Sequence, residues 1–388
     1  MHADRSAPLS LLAACMLLLP VACDEGGDGP APTASLVEPD DPPVADVGLA
    51  AATSPQAAKK PNGKKLFEDE TFDGNGRTCR TCHTSSTGAL SPEQVQDAFE
   101  CDDDGPLFRA LDSDDRLGES YDRLLTDATV LIDIPLPANW SLAADPSATH
   151  ATFARGVPTT NNVPSLDTIF MADGRFTTLQ DQANGAIHAH AEPGREPTFA
   201  ELTAIAEFQQ TNKFFSNNKL KHWANGGPEP TLPPGNTPAQ IRGRAWFVPS
   251  AGGVCGHCHA GPMLNQTSEF LLAPLPPGSR FFTAFVSELN KAGNPVQSFV
   301  VDNGDGTTTV IDSPDPGRAL VTGDPAEANF FRIPTVWGAK DTAPYFHDNS
   351  AADLDELMAH YSDYFQIVGL PPLSMDERAD IIAYMQLL

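Results

Sequence analysis

Cys79-Arg-Thr-Cys82-His83 and Cys255-Gly-His-Cys258-His259 are the two stretches of sequence that decide the fold. Both have the form Cys-x-x-Cys-His, which is the attachment signal for c-type haem. The two thiols add to the vinyl groups of haem, and the histidine becomes the proximal ligand of the iron. A zinc site would need four ligands from neighbouring pairs, but these pairs lie in opposite halves of the chain. The sequence therefore predicts two covalently bound haems.

The sequence around the two motifs is repeated at nearly the same spacing. Thr198 and Ser374 each open a helix with a capping box, and their offset (374 − 198) equals that of the first cysteines of the two motifs (255 − 79). The segments that begin at Asp173 and Asp348 pair at an offset (348 − 173) that differs from it by a single position. Features that keep the same order and spacing around both motifs predict a tandem duplication with one haem in each copy.

The duplication predicts both the fold class and the domain organisation. We expect a mainly α-helical protein with two cytochrome c-like haem domains in tandem, at residues 59–235 and 236–388. Its 36 prolines and 30 glycines indicate long loops between the helices. Residues 299–312 alternate around Asn303-Gly304, a turn dipeptide that predicts a small β-hairpin.

The residues before the first haem domain indicate export. An apolar run at residues 9–22 predicts a signal peptide over residues 1–23. Leu19-Pro-Val-Ala-Cys23 resembles a lipoprotein cleavage box, which would make Cys23 a lipid anchor; simple cleavage and secretion is the alternative. Residues 24–58 have the Gly, Pro, Ala and acidic composition of a flexible linker. We therefore expect a periplasmic protein, tethered to the membrane as a lipoprotein.

The formal net charge of −27 restricts the partners that the protein can bind. A chain of this charge is repelled by nucleic acid and by anionic membrane surfaces. It suits a basic partner, such as a small cationic electron carrier, although solubility alone explains the acidity equally well.

Three groups of segments resemble the bacterial dihaem cytochrome c peroxidase family, including its relative MauG, over about residues 62–388. They are similar to the family's opening segment, central motif and C-terminal signature: Gly63-Lys-Lys-Leu-Phe67; Asp173-Gly-Arg175 with Leu179-Gln-Asp-Gln182-Ala183; and Phe331-Arg-Ile-Pro-Thr335 with Ala343-Pro-Tyr-Phe-His-Asp348. The resemblance implies that the first haem reduces hydrogen peroxide. It also implies that the second haem takes electrons from a small donor cytochrome or cupredoxin.

By this resemblance, Gln182 and Glu192 match the distal glutamine and glutamate that serve the first haem. A carboxylate there can take a proton from the near oxygen of peroxide and return it to the leaving oxygen. His188 and His190 lie in the same loop. Either could supplement Glu192, ligate and block the first iron, or be a surface histidine.

Three departures from the family pattern affect both haems. No histidine occurs between His83 and His150, the region that supplies a removable iron ligand in most dihaem peroxidases, so the first haem is expected to be five-coordinate, as in MauG. The sixth ligand of the second iron falls on Tyr361, where methionine is usual, with His360 and Met358 as rivals. A tyrosinate oxygen would lower the potential of that haem.

The third departure is at Ala172, where the family usually has a tryptophan between the haems. The sequence leaves open whether Trp337 or Trp246 replaces it. The expected function is a peroxide-reducing dihaem peroxidase, with a MauG-like oxidase of a partner protein or a non-enzymatic electron carrier as alternatives. A homodimer and a bound calcium ion also stay open, and the sequence identifies no calcium ligands.

Overall fold

Short helices joined by long loops make up most of the fold in the computed structural model. The structure describes residues 60–271 and 275–388. The predicted signal peptide, the lipid anchor at Cys23 and the linker lie outside the described residues. No described helix is both long and apolar enough to cross a membrane.

The prediction of a mainly helical fold with small sheets is confirmed. The α-helices are α1 Gly63–Glu68, α2 Cys79–Cys82, α3 Pro92–Cys101, α4 Asp122–Asp127, α5 Val163–Leu166, α6 Leu179–Ala186, α7 Phe199–Gln209, α8 Asn218–Ala224, α9 Pro238–Ala245, α10 Cys255–Cys258, α11 Val286–Leu289, α12 Ala319–Thr322, α13 Leu354–Ile367 and α14 Met375–Met385. A π-helical turn, Ile187–Ala191, follows α6 directly. The strands are β1 Thr129–Pro135, β2 Trp140–Leu142, β3 His150–Gly156, β4 Phe281–Phe282, β5 Gln297–Asp302, β6 Thr308–Ser313 and β7 Phe331–Arg332.

Helices recur in the same order around the two Cys-x-x-Cys-His motifs. Helix α1 precedes the first motif and packs on α7, which follows it. Helix α9 precedes the second motif and packs on α14, which follows that one. The starts of α6 and α13 (354 − 179) have the same offset as the isolated bridges Phe170–Phe176 and Tyr345–Ala351 (345 − 170). The division of the chain into domains at residues 235 and 236 stays a prediction.

Both helix pairs cross at a glycine because the backbones approach closely. A Cβ atom added at Gly63 would lie 1.9 Å from the carbonyl oxygen of Ala204, and one at Gly243 would lie 2.0 Å from that of Asp380. Any larger residue would push the helices apart. The close crossings hold α7 and α14 against the helices that precede each motif.

The two capping boxes form as the sequence predicts. The Thr198 hydroxyl accepts the Glu201 amide at 3.3 Å, and the Glu201 carboxylate accepts the Thr198 amide at 2.8 Å. Ser374 and Glu377 repeat this exchange at 3.3 and 2.8 Å. Each cap stabilises its helix start by about 1 kcal/mol.

The sheets connect distant parts of the chain. Strands β5 and β6 pair antiparallel, and β2 adds a third strand through the pairing of Trp140 with Val301. Phe299 and Phe153 stack in the core beneath this sheet. The third strand was not predicted, because three residues carry too little alternation to be recognised.

Candidate functional site

The histidines of both motifs are held by the same hydrogen bond. The Nδ1–H of His83 donates to the carbonyl oxygen of Gly88 at 2.8 Å, and that of His259 donates to Leu264 at 2.9 Å. In each motif the acceptor lies five residues after the histidine (88 − 83 and 264 − 259). This bond fixes the tautomer and leaves Nε2 as the free metal ligand.

Burial keeps both imidazoles in the neutral form that binds iron. It lowers the pKa of His83 and of His259, and the hydrogen bond to the backbone carbonyl only partly offsets this. A neutral, oriented imidazole is what a proximal haem ligand requires.

The four motif cysteines are half-buried free thiols. Each pair lies on a single helical turn, α2 or α10. Burial raises the pKa to about 12 for Cys79, Cys255 and Cys258, and to about 11 for Cys82. Residues 60–271 and 275–388 contain no group of three or more His, Cys, Asp or Glu side chains arranged to hold a metal ion.

The first motif opens onto a cavity that fits a haem. Its empty space is about 1310 Å³, part of it open to solvent. Cys79, Cys82 and His83 form part of the wall. The rest is largely apolar, with Phe67, Phe72, Val130, Ile132, Phe170 and Leu179. An attachment pair, a neutral imidazole and an apolar wall in one cavity match the needs of a c-type haem.

Four arginines also line this cavity and can neutralise the two propionates of a haem. They are Arg77, Arg155, Arg175 and Arg332. Arg155 donates to Asp315 at 2.6 and 2.8 Å and to Asp173 at 2.5 Å, and all three side chains are buried. Burial alone would raise the pKa of Asp173, but Arg155 and Arg175 outweigh it and hold this pKa below its usual value. The pairing of Arg155 with Asp315, 160 residues apart, was not predicted, since nothing in the sequence singles out either residue.

One face of α6 and the π-helical turn forms the wall that carries the predicted distal residues. Gln182, Ala186 and His190 lie at successive intervals of four residues and all line the cavity. His188, on the same turn, is exposed, and its Nε2 lies 3.0 Å from a carboxylate oxygen of Glu196. The structure thus separates two histidines that the sequence left equivalent.

Glu192 lies outside this wall. It follows the π-helical turn with φ at 47°, its side chain is exposed, and its carboxylate accepts a hydrogen bond from Asn75 Nδ2 at 2.9 Å. Gln182 is therefore in the cavity, whereas Glu192 is not among the residues that line it. The catalytic role of Glu192 stays a prediction that this position does not favour.

The second motif faces α13. Burial, with smaller contributions from Cys258 and Cys255, raises the pKa of Tyr361, so this side chain lies close to the cysteine pair. His360 is turned away, with its Nε2 bonded to the Ala284 carbonyl at 2.7 Å. Met358 is buried in the surrounding hydrophobic core. Among the three rival ligands, Tyr361 has the position that best suits the second iron, and its ligation stays a prediction.

The repeat offset between the starts of α6 and α13 (354 − 179) also relates the two walls. At this offset Ala186 corresponds to Tyr361 (361 − 186), Gln182 to Leu357 (357 − 182), and His190 to Phe365 (365 − 190). On α6 and the π-helical turn, the small Ala186 lies between two polar residues, Gln182 and His190. On α13, the bulky Tyr361 lies between two apolar residues, Leu357 and Phe365. Equivalent positions in the two copies have opposite character.

Trp337 connects the second motif to the first cavity. Its indole N–H donates to the Pro262 carbonyl at 2.9 Å, and its own carbonyl accepts from Asn162 Nδ2 at 3.0 Å. Asn162 directly precedes Val163 and Pro164, which line the first cavity. Trp246 instead packs on Phe365 within the core around the second motif.

Two Cys-x-x-Cys-His motifs with matched histidines, the first of them lining a cavity, are the arrangement that a c-type dihaem protein requires. Residues 58–225 match the family model described as di-haem cytochrome c peroxidase. Cytochrome-c peroxidase IdrP1 of Pseudomonas sp. (strain SCT) is 26% identical over 400 aligned positions, covering 100% of this chain and 93% of that protein. Cytochrome c551 peroxidase of Nitrosomonas europaea is 25% identical over 186 positions, covering 48% of this chain and 43% of that protein.

A crystal structure of a MauG-like protein associated with microbial copper homeostasis superposes with a TM-score of 0.47 at 19% identity, covering 85% of this chain and 90% of that one. The family model and the curated relatives confirm the resemblance inferred from the sequence. Over residues 58–225 the chain is similar to the di-haem cytochrome c peroxidases, and these homologues indicate an oxidoreductase.

Proposed function

We propose that this protein reduces hydrogen peroxide to water at the first haem, with two electrons delivered through the second. The observation that carries this proposal is the difference between the two walls. Ala186 and Gln182 line the first cavity together with the proximal histidine His83. The equivalent position near the second motif is filled by Tyr361. A small molecule can reach one iron and not the other.

The residues of the first site would divide the work. Cys79, Cys82 and His83 would hold the haem, whose iron supplies the redox chemistry that splits the peroxide. The amide of Gln182 can hydrogen-bond the bound peroxide and orient it. The apolar wall keeps bulk water out, which strengthens the remaining polar contacts.

Electron delivery would use Trp337. It is buried, it is bonded to the segment after the second motif, and it is bonded to the segment that lines the first cavity. We therefore assign to Trp337 the bridging role that the missing tryptophan at Ala172 would have had. The donor would be a small basic cytochrome or cupredoxin of the periplasm, drawn to a protein of net charge −27.

The proposal is tested by mixing the oxidised, haem-loaded full chain with hydrogen peroxide. We expect a high-spin first haem that reacts without prior reduction, and oxidation of two equivalents of a reduced small cytochrome for each peroxide consumed. Entirely low-spin spectra in both redox states, with no peroxide turnover, would instead make the protein an electron carrier.

A MauG-like oxidase of a partner protein is the second candidate, and the position of Tyr361 favours it. A tyrosinate ligand would stabilise oxidised iron at the second haem. In that case peroxide would be consumed while a partner protein, and no small cytochrome, is oxidised. The same mixing experiment separates these two functions.

A further inference from the structure

We propose that His190 is the proton-transfer group of the first haem cavity, in the role that the sequence assigns to Glu192. This inference rests on the proposed peroxidase function and names the residue that carries out its acid–base step. Three acid–base candidates lie in the loop after α6, and only one of them lines the cavity: His190 does, whereas His188 and Glu192 are exposed.

The π-helical turn positions the His190 side chain. Together with α6 it aligns His190 with Gln182 and Ala186 on the cavity wall, while Glu192 falls beyond its end in a left-handed conformation. Such π-helical turns occur frequently at functional sites. Asn75 fixes the turn, since its side-chain amide donates to the His190 carbonyl at 3.0 Å and its backbone amide donates to the Ala191 carbonyl at 2.8 Å. The imidazole is thereby tied to the loop that leads into the first motif.

His190 lines the cavity, and its Nδ1 is enclosed without a hydrogen-bond partner in the protein. A buried polar atom without a partner is unfavourable and calls for an explanation, and a molecule bound in the cavity beside the ring would be one. Burial lowers the pKa of His190 to about 4; Asp112 opposes the shift, and Arg77, Arg175 and His83 add to it. The ring is therefore neutral at neutral pH and can accept a proton.

The neighbouring candidates already have partners. The His188 imidazole lies against the Glu196 carboxylate, and the Glu192 carboxylate accepts from Asn75. Both contacts lie on the surface of the protein. Neither side chain could reach a molecule inside the cavity without giving up its contact and turning inward.

The proton-transfer step balances within this arrangement. With a haem held by Cys79, Cys82 and His83, the His190 imidazole would take the proton from one oxygen of hydrogen peroxide. The imidazolium would return this proton to the other oxygen as the O–O bond breaks, and that oxygen would leave as water with both of its hydrogens. Two electrons from the external donor and two protons from solvent complete the second water, and His190 is neutral again.

The test compares His190→Gln with two matched controls, His188→Gln and Glu192→Gln, in the haem-loaded full chain. Two rates are measured on the oxidised proteins: the reaction with hydrogen peroxide and the association of cyanide. Hydrogen cyanide also has to lose a proton when its anion binds ferric iron, so it reports on the proton acceptor without any catalysis. Haem content and the spin state from electron paramagnetic resonance show whether each variant has kept its site intact.

We expect His190→Gln to slow both rates by about 10²–10⁴-fold with the high-spin signal unchanged. Both control variants should keep the wild-type rates. His190→Glu, which restores a proton acceptor at this position, should recover part of both rates.

Two results would overturn the assignment. One is a loss of rate in Glu192→Gln and not in His190→Gln. The other is a low-spin first haem that becomes high-spin in His190→Gln, since His190 would then be an iron ligand. If cyanide association depends on His190 but wild-type protein does not turn over peroxide, the peroxidase function fails while the proton acceptor stands. If wild-type protein turns over peroxide but His190→Gln keeps the same rate, the peroxidase function stands and the assignment of His190 as proton acceptor fails.

Discussion

The first haem site, at His83, and the second, at His259, are built alike on the proximal side and unlike on the opposite wall. Each histidine donates from Nδ1 to a carbonyl five residues later (88 − 83 and 264 − 259), and each follows a single helical turn with two half-buried thiols. The proposed haem attachment thus depends on a short local sequence. We propose that the reactivity of each haem depends on a later helix, α6 or α13, and the two helices differ at corresponding positions.

The difference between these helices is one of side-chain size and helix geometry. In the first copy, α6 gives way to a π-helical turn after Ala186, and His190 on this turn lines the cavity. In the second copy, α13 runs unbroken through Tyr361 and Phe365. In the proposed account, a few differences at corresponding positions of these two helices are enough to leave one site open and to close the other.

The largest effect is expected from Ala186→Tyr, which copies the second wall into the first. A phenol at this position would fill the space opposite His83 and exclude peroxide. We expect the rate of reaction with peroxide in stopped-flow absorption to fall by about 100-fold or more, the scale on which misplacing a reactant acts. Ala189→Tyr, at an exposed position on the same turn, is the control. Full peroxide reactivity in Ala186→Tyr would refute the steric comparison.

The converse change, Tyr361→Ala, should open the second site. With no oxygen ligand available, the second iron should become high-spin and add a second population to the resonance spectrum. Tyr361→Met should keep the iron six-coordinate and raise its reduction potential, since a thioether favours reduced iron more than a phenolate does. If neither variant changes the second haem, another residue is its ligand.

The pH dependence of peroxide reduction should show the titration of His190, which has no ionisable counterpart at Phe365 near the second motif. Because burial lowers the pKa of His190 to about 4, its ring is neutral and keeps a free lone pair at pH values above that. We expect kcat/KM for peroxide to be level through neutral pH and to fall as the pH approaches 4. In His190→Gln this acid limb should disappear from the residual activity. An acid limb centred near the usual histidine pKa would mean that the imidazole is solvated.

The smallest effect on the reaction with peroxide is expected from a change at Trp337, the proposed bridge between the two haem sites. Trp337→Phe removes the hydrogen bond to Pro262 and should cost about 1 kcal/mol of unfolding free energy. It should slow the transfer of electrons between the haems without changing the first reaction with peroxide. Rapid mixing of the half-reduced protein would show both rates, and Trp246→Phe is the control. Equal inter-haem rates in both variants would exclude Trp337 from the route.

The sequence was sufficient for those features that depend on short patterns. The two motifs, both capping boxes and the helical character of the chain follow from residues within a few positions of each other. The ion pair of Arg155 with Asp315 and the addition of β2 to the sheet did not follow, because they join segments that are distant in the chain (315 − 155 and 301 − 140). The sequence assigned the acid–base role to Glu192 by resemblance and left the place of His190 open, since nothing in the sequence marks the π-helical turn that puts His190 on the cavity wall.

The most direct test of the difference between the two haems is electron paramagnetic resonance of the oxidised, haem-loaded full chain. An open site at His83 and a site at His259 closed by Tyr361 should give one high-spin and one low-spin iron in equal amounts. Ala186→Tyr should change the high-spin signal of the iron at His83 and leave the low-spin signal of the iron at His259 unchanged. Two irons with the same spin state and ligation in the wild-type protein would contradict the difference between the two walls.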